Sequence, residues 1–586
     1  MKETQIITLP SDAEPVHTDG LSLVRHEEIH FPQPRLKQWA NFVPHSRAQK
    51  RVRRQASPLP PELALALLPA PGWSILIDNS SEGPSTARHR VRSQTRKKLR
   101  NRGWAHDVFF PAHAMTVDRC DVDLVTIDML PDDILLEILY LYVDENKQIE
   151  AWYTLAHVCQ RWRYIVSAFP RRLNLRLLCK DTTRGMTEML DIWPALPVVI
   201  QAHFFPTKQR ADGTDNVIAA MKHKGRICEI TLRGVPSSLL ASERFATVTQ
   251  ESFPALTHLD LLSDVDSAPA LPDSFFDGSA PRLRTLRLRS ILYPALGKLL
   301  LSASDLVELW LWDIPHSGYI SPKAMVTCLS TLTRLETLYL GFHSHRSRPE
   351  RATRRPPPPT RTLLRALTNF QFKGVSEYLE DVAIRIDAPL LNVVQITFFN
   401  QLVFDVSQLS KFIGRTEKLR TLDHADLFFR RRSVEMKLHP QTNPGVGRTM
   451  LAIGILCREL EWQFSALAQV CNSSLPLLSI LGRLDISIYT PGTEDRQHDM
   501  ENAQWAELLQ SFSAVKNIYI HTEQELVAKA LRDLAGATGV TEILPVLRKI
   551  LMVHVRTSPN SYYDRLERFI AARQSSGHPV TIETGI

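Results

Sequence analysis

The sequence predicts an α/β protein: a helical hairpin followed by an irregular solenoid with parallel strands inside and helices outside. Three observations predict it. An apolar-x-x-apolar-x-apolar frame recurs between Ile227 and Met552, helical periodicity fills several of the stretches between its copies, and an earlier segment, 127–170, holds two amphipathic stripes split by a polar break. Each frame supplies one short strand whose inward side chains its own unit cannot cover, so the units must stack.

Residues 1–115 carry little sustained periodicity. They contain a proline cluster (Pro58, Pro60, Pro61, Pro69, Pro71) and two arginine-rich runs, 47–54 and 88–102. Composition of this kind cannot offset its ordering entropy, which predicts a disordered basic, Pro-rich arm. The runs would suit a nuclear-import signal or a loose polyanion contact, or simply a solvated tail. The arm holds 17 Lys/Arg against 10 Asp/Glu, leaving 53 against 52 in the rest, so the net charge of +8 belongs mostly to the arm. A nucleic-acid-binding solenoid would carry its positive charge on the solenoid, and this distribution argues against that class.

In the hairpin, Leu130-Pro131 precedes a stripe at Ile134, Leu135, Ile138, Leu139 and Tyr142. Pro131 suits a first helical turn, and Asp132 and Asp133 complement the positive end of the helix dipole. A second stripe runs through Trp152, Leu155, Cys159, Trp162, Val166 and Phe169 and stops at Pro170. Two short helices bury only part of such surface against each other, so the remainder needs a partner. With Leu130-Pro131, the Ile134–Leu139 run and Val158-Cys159-x-x-Trp162 in this order, residues 122–172 resemble an F-box. The resemblance implies docking to the Skp-type adaptor of a cullin-RING (SCF) ubiquitin ligase. Its adaptor-facing or hairpin-core residues would be Leu130, Pro131, Ile134, Leu135, Ile138, Leu155, Val158 and Trp162, with roles that sequence does not divide.

Residues 173–226 read as a connector, with short strands near Leu173–Leu178 and Leu196–Val199. The frame then starts at 227, 256, 283, 306, 335, 367, 391, 419, 481, 515 and 547. The intervals, mostly 23 to 34 residues, are those of a long, irregular leucine-rich repeat spanning 227–570. At Leu419/Leu422 the third place falls on His424. The 62-residue gap that follows has room for one or two degenerate units, with Leu451/Ile453/Ile455 as the best strand. Outer helices are expected at Thr362–Leu367, 408–416 and 459–471. Residues 343–361, with six arginines and Pro356–Pro359, read as a stiff exposed insertion, and 571–586 as a C-terminal tail. The stretches 374–405 and 457–478 also resemble F-box proteins of mushroom-forming fungi, a group that implies no defined substrate.

Nothing in the sequence assembles into catalytic or cofactor chemistry. Gly445-Val446-Gly447-Arg448-Thr449 lacks the lysine of a phosphate loop, and neither G-x-S-x-G nor H-E-x-x-H occurs. His343 and His345 lack partners at ligand spacing, and Asp212–Asp215 lacks the remaining ligands of a calcium loop. No metal and no cofactor is expected. Seven scattered cysteines without a C-x-x-C pair argue against a disulfide framework and fit a reducing compartment, cytoplasmic and/or nuclear. The opening MKETQIITLP has no apolar core for a signal peptide, and no run is long enough to span a bilayer.

The expected site is therefore surface. In each frame the residue between the last two apolar places points away from the core. That column reads Thr231, Asp260, Arg287, Trp310, Tyr339, Gln371, Gln395, Asp423, Asp485 and Tyr519, with Arg289 and Trp312 two positions further along. Arg287, Arg289, Trp310, Trp312, Tyr339, Gln371 and Gln395 are the candidate target-binding residues, with exposed aromatic and arginine anchors at their centre. The sequence thus reads as the non-catalytic substrate receptor of an SCF-type ligase, with an unknown protein target. The alternative is a repeat scaffold whose hairpin only caps the array.

Overall fold

The computed structural model describes residues 127–146, 149–180, 186–192, 196–204, 211–263, 268–349, 360–440, 449–472, 475, 477–489, 502–521, 527, 531, 543–553 and 559–585. The arm of 1–115 and the centre of the Arg/Pro insertion lie outside these residues. Everything described belongs to one unit, Arg119–Ile586.

Three helices open it: a first at Asp132–Asn146, a short middle one at Ala151–Ala156 and a third at Gln160–Ala168. The strands follow. They are β1 (Leu177–Lys180), β2 (Val198–His203), β3 (Ile227–Arg233), β4 (His258–Leu262), β5 (Thr285–Arg289), β6 (Glu308–Ile314), β7 (Thr337–Phe342), β8 (Thr362–Leu363) and β9 (Asn369–Gly374). The chain continues through β10 (Ile386–Asp387), β11 (Val393–Phe399), β12 (His424–Arg430), β13 (Ser433–His439), β14 (Met450–Leu456), β15 (Arg483–Tyr489), β16 (Asn517–His521), β17 (Lys549–Val553) and β18 (Thr581–Gly585). Sixteen of them form one sheet in the order β1-β2-β3-β4-β5-β6-β7-β9-β11-β14-β13-β12-β15-β16-β17-β18, while β8 and β10 pair separately. The result is an α/β fold built on a long, mostly parallel sheet of leucine-rich-repeat type.

The repeating frame explains the sheet. In β4, β5 and β6 the frame residues Leu256/Leu259/Leu261, Leu283/Leu286/Leu288 and Leu306/Leu309/Leu311 are all buried, and the pattern holds through Leu547/Ile550/Met552. From β4 onward the first residue of a triplet sits just before its strand, and the other two point into a core shared with the outer helices. Neighbouring strands pair in register, with Leu259 opposite Leu286 and Leu286 opposite Leu309, so each apolar side chain stacks on its counterpart in the next unit. The outer helices expected near 408–416 and 459–471 form at Ser407–Arg415 and Leu460–Asn472.

Four expectations change. The connector is already repeat: β1 and β2 pair in parallel with each other and with β3, so the sheet starts at Leu177. The C-terminal tail is not a tail, because β18 pairs in parallel with β17 and carries the sheet to Gly585. Thr362–Leu367 is not a helix; Thr362 and Leu363 lie beside Ile386 and Asp387 as a short parallel pair. The 62-residue gap holds the expected strand at Leu451/Ile453/Ile455, which is β14, buried and parallel to β11, but the chain reaches it through an antiparallel strand, β13. The chain leaves β11, enters β12 three places further along the sheet, fills the two places between with β13 and β14, and resumes the parallel order at β15. The frame near 419 also shifts by three: Leu422, Ala425 and Leu427 are its buried triplet, and His424 falls on the opposite face.

The outer layer has a polar stitch of its own. The first N–H groups of a helix lack intrahelical acceptors, and Val406 offers no capping side chain to the helix at Ser407–Arg415. Glu380, on the neighbouring outer helix (Ser376–Ala383), accepts from the N–H groups of Gln408 and Leu409 at 2.7 Å each and from the Ser407 hydroxyl at 3.2 Å. Burial raises its carboxyl to about 7, overriding the lowering by those donors. A folded-state value above the unfolded 4.5 gives a contribution present at low pH and lost as pH rises through about 7. Chemical denaturation of the wild type and of Glu380→Gln between about pH 5 and pH 8 should show the wild type losing up to about 3 kcal/mol relative to the variant. A constant difference across that range would contradict the assignment.

Candidate functional site

The hairpin is two-sided. Leu135, Leu136 and Leu139 of the first helix are buried together with Trp152, Leu155, Ile165 and Val166. The same core continues into Leu173, Leu175 and Leu177 at the start of the sheet. Trp152 makes the join: its ring stacks on Tyr153, with centroids 4.0 Å apart, and its Nε1–H donates to the Arg176 carbonyl at 3.0 Å. Lys180 in β1 adds an ion pair to Glu150 at 2.9 Å. This inner face closes the open end of the array.

The outer face carries exposed apolar side chains among the described residues. Ile134 (48% exposed), Ile138 (39%) and Leu141 (52%) follow one another at i, i+4 and i+7 along the first helix, beside Tyr142. Val158 (56%) and Met129 (65%) are also exposed, in the turns that flank the helices. The stripe read from the sequence therefore splits between two faces. Leu135 and Leu155, counted among the adaptor-facing candidates, are core residues and present nothing to a partner. Pro131, Ile134, Ile138 and Val158 are exposed, and Leu130 and Trp162 are half-buried.

The motif residues have identifiable local work. Arg161 donates to the Leu130 carbonyl and binds Asp132 Oδ1 through Nε at 2.9 Å and Nη2 at 2.6 Å, fastening the Leu-Pro turn to the third helix. Cys159 is the N-cap of that helix, its Sγ accepting from the Trp162 N–H at 3.5 Å, while Trp162 packs against the core. A Val-Cys-x-x-Trp run thus sets a helix start, an outward valine and an inward-leaning ring in five residues.

On the sheet, the face away from the core carries one continuous row. It runs Lys180, Gln201, Thr231, Asp260, Arg287, Trp310, Tyr339, Gln371, Gln395, Ala452, Lys437, Asp426, Asp485, Tyr519, Leu551 and Glu583. Asp423 does not belong to it; after the three-residue shift its place is taken by Asp426. The strands bring Arg287, Arg289, Trp310, Trp312 and Tyr339 together, and Gln371 and Gln395 extend the row across β9 and β11. The aromatics are half-buried rather than exposed, because they cover one another. Trp310 lies 4.8 Å from Trp312 and 5.8 Å from Tyr339, centroid to centroid, and Trp312 lies 5.3 Å from Tyr339. Arg287 sits over Trp310 and binds Glu308 at 2.8 Å; Arg289 and Lys373 bind Asp313 at 3.3 and 2.8 Å. Burial would raise the Asp313 carboxyl, but the two cations win and hold it below its usual value. The patch is a pre-paired aromatic and charged plate.

A third cluster lies on the same face at the antiparallel excursion. His424 and His439 stand opposite each other on β12 and β13, their rings stacked 4.4 Å apart. Asp426 Oδ2 lies 3.0 Å from His439 Nε2, and Asp485 Oδ1 lies 3.4 Å from His424 Nε2. Asp485 takes two bonds from Arg483, which rests over the Tyr519 ring. Burial works to raise the Asp485 carboxyl, yet the His424 and Arg483 partners bring it down to about 2. Among the described residues, His424, Asp426 and His439 have the donor set and spacing to hold a metal ion. Sequence reading missed them because their proximity depends on the antiparallel turn; the only signal was the histidine interrupting the frame. The described cysteines are free, and no helix among the described residues is long and apolar enough to cross a membrane.

No family model and no curated protein matches the chain. Among solved structures it is similar to the leucine-rich repeat-containing protein LegL7 from Legionella pneumophila, at 12% identity and a TM-score of 0.24, over 67% of this chain and 97% of that one. The repeat architecture stands on the strand order and register themselves.

The two-sided hairpin makes a stability prediction. Leu135→Ala should lower the unfolding free energy by about 2–5 kcal/mol, whereas Ile138→Ser should change it by only about 0.5 kcal/mol, both read from urea unfolding curves. Equal losses would mean that Ile138 is not on a free face.

Proposed function

We propose that this chain is a non-catalytic substrate receptor of an SCF-type ubiquitin ligase. The outer face of the F-box-like hairpin docks a Skp-type adaptor, and through it a cullin, while the open face of the sheet holds a protein target. Bond chemistry is left to other subunits; the receptor acts by raising the effective concentration of its target. The cytoplasm and/or nucleus is the compartment this reading implies. One observation carries it: Ile134, Ile138, Leu141 and Val158 form an apolar surface on a hairpin whose opposite face is already packed. Covering each half-exposed side chain would contribute on the order of 1 kcal/mol, and such a cluster of central apolar anchors suits a specific interface.

A second reading, that the hairpin is only a cap on a repeat scaffold, draws support from the Trp152 bond to the Arg176 carbonyl and the shared core. A cap accounts for the inner face and leaves the outer one without a role. The test is co-purification of the intact chain with a Skp-type adaptor. Wild type should form a stable complex, and Ile134→Glu with Ile138→Glu should weaken it by about 100-fold or more without changing the melting temperature. Failure of the wild type to bind, or full binding by the double variant, would favour the scaffold.

A further inference from the structure

We propose that His424, His439 and Asp426 form a three-residue binding site for one divalent transition-metal ion, zinc by its donor chemistry, which pins β13 to β12. The donors come from two strands, β12 and β13, at the point where strand order reverses, with Asp485 of β15 beside them. This inference is independent of the ligase reading.

Spacing is the first argument. Tetrahedral zinc with bonds of about 2.0–2.1 Å places its donors roughly 3.3 Å apart. Here His439 Nε2 lies 3.0 Å from Asp426 Oδ2, and His424 Nε2 lies 3.6 Å from Asp426 Oδ1 and 3.4 Å from Asp485 Oδ1. Donor atoms of His424, Asp426 and His439 all fall within 4.8 Å of one another. Two imidazoles and one carboxylate match zinc's ligand preferences, with the fourth position left to water.

The second argument is the tautomer. His439 Nδ1 lies 3.3 Å from the Pro440 carbonyl, which only accepts, so a neutral ring carries its proton on Nδ1. Its Nε2 lone pair then faces the oxygen of Asp426, a contact that a second ring proton or a metal ion between the two would satisfy. His424 makes the same demand: it is 5% exposed, its Nδ1 is buried without a hydrogen-bond partner, and its Nε2 faces two carboxylates at once. A single Nε2–H could serve only one of them, whereas a metal ion at Nε2 is shared with Asp426 and His439 and leaves Asp485 to Arg483. The outer contacts also fit: Pro440 orients His439, and Arg483 fixes Asp485 with bonds of 2.8 and 2.9 Å.

The test titrates Co²⁺ into the full chain after chelator treatment and follows the visible bands of the tetrahedral ion, then displaces it with Zn²⁺. Wild type should bind one equivalent with these bands and melt at a higher temperature with Zn²⁺ than without. His439→Ala and Asp426→Asn, checked for fold by circular dichroism, should each weaken binding on the order of tenfold or more. A double substitution of the insertion histidines, His343→Ala with His345→Ala, should leave binding unchanged. X-ray absorption of the zinc-loaded wild type, which needs no variant, should show two imidazoles among four N/O donors. Absence of tetrahedral Co²⁺ bands, wild-type affinity in His439→Ala, or a shell of oxygens alone would each overturn the proposal.

Discussion

The structure depends on one constraint: no repeat unit can cover its own inward side chains. Leu309 has no shelter without Leu286 on one side and Leu338 on the other, and the same holds at every strand of the sheet. Stacking solves the problem in the interior and moves it to the ends. At the N-terminal end the hairpin provides the cover, with Trp152 as the closing side chain and the Arg176 carbonyl as its polar anchor. The hairpin's inner face is therefore fixed by the needs of the array. Its outer face is set by something else, which is why that face carries the functional reading.

Much of this was legible in the primary sequence. The triplets from Ile227 to Met552 give the strands and, through alternation, the open-face row from Thr231 to Gln395. Leu130-Pro131 and Val158-Cys159-x-x-Trp162 mark where the hairpin begins and how its last helix is capped. These features are local, or repeat at a fixed interval, so spacing alone exposes them.

Other features depend on contacts that spacing does not encode. The first helix is apolar on two faces, and a stripe of Ile134, Leu135, Ile138 and Leu139 does not say which half turns inward; the packing of Trp152 and Ile165 decides that. β1 and β2 lack the regular triplet, since β2 meets β3 through a register shift at Val198/Val199, so the array begins two strands earlier than the triplets suggest. The antiparallel excursion hid itself most effectively. A reversal between β12 and β13 breaks the repeat interval, turns a histidine that looked like a flaw in the frame into an open-face residue, and places it against another histidine fifteen positions away. The aromatic plate shows the same limit: the register puts Trp310 beside Tyr339, but only the packed rings reveal that they shield one another.

The central claim is that the outer hairpin face becomes covered when an adaptor arrives. Amide hydrogen exchange on the intact chain, with and without a purified Skp-type adaptor, tests it most directly. The account predicts added protection confined to peptides from 129–142 and 157–164, with the open-face row of β5 to β7 unchanged. Unaltered exchange across the hairpin, or protection appearing only on those strands, would contradict it.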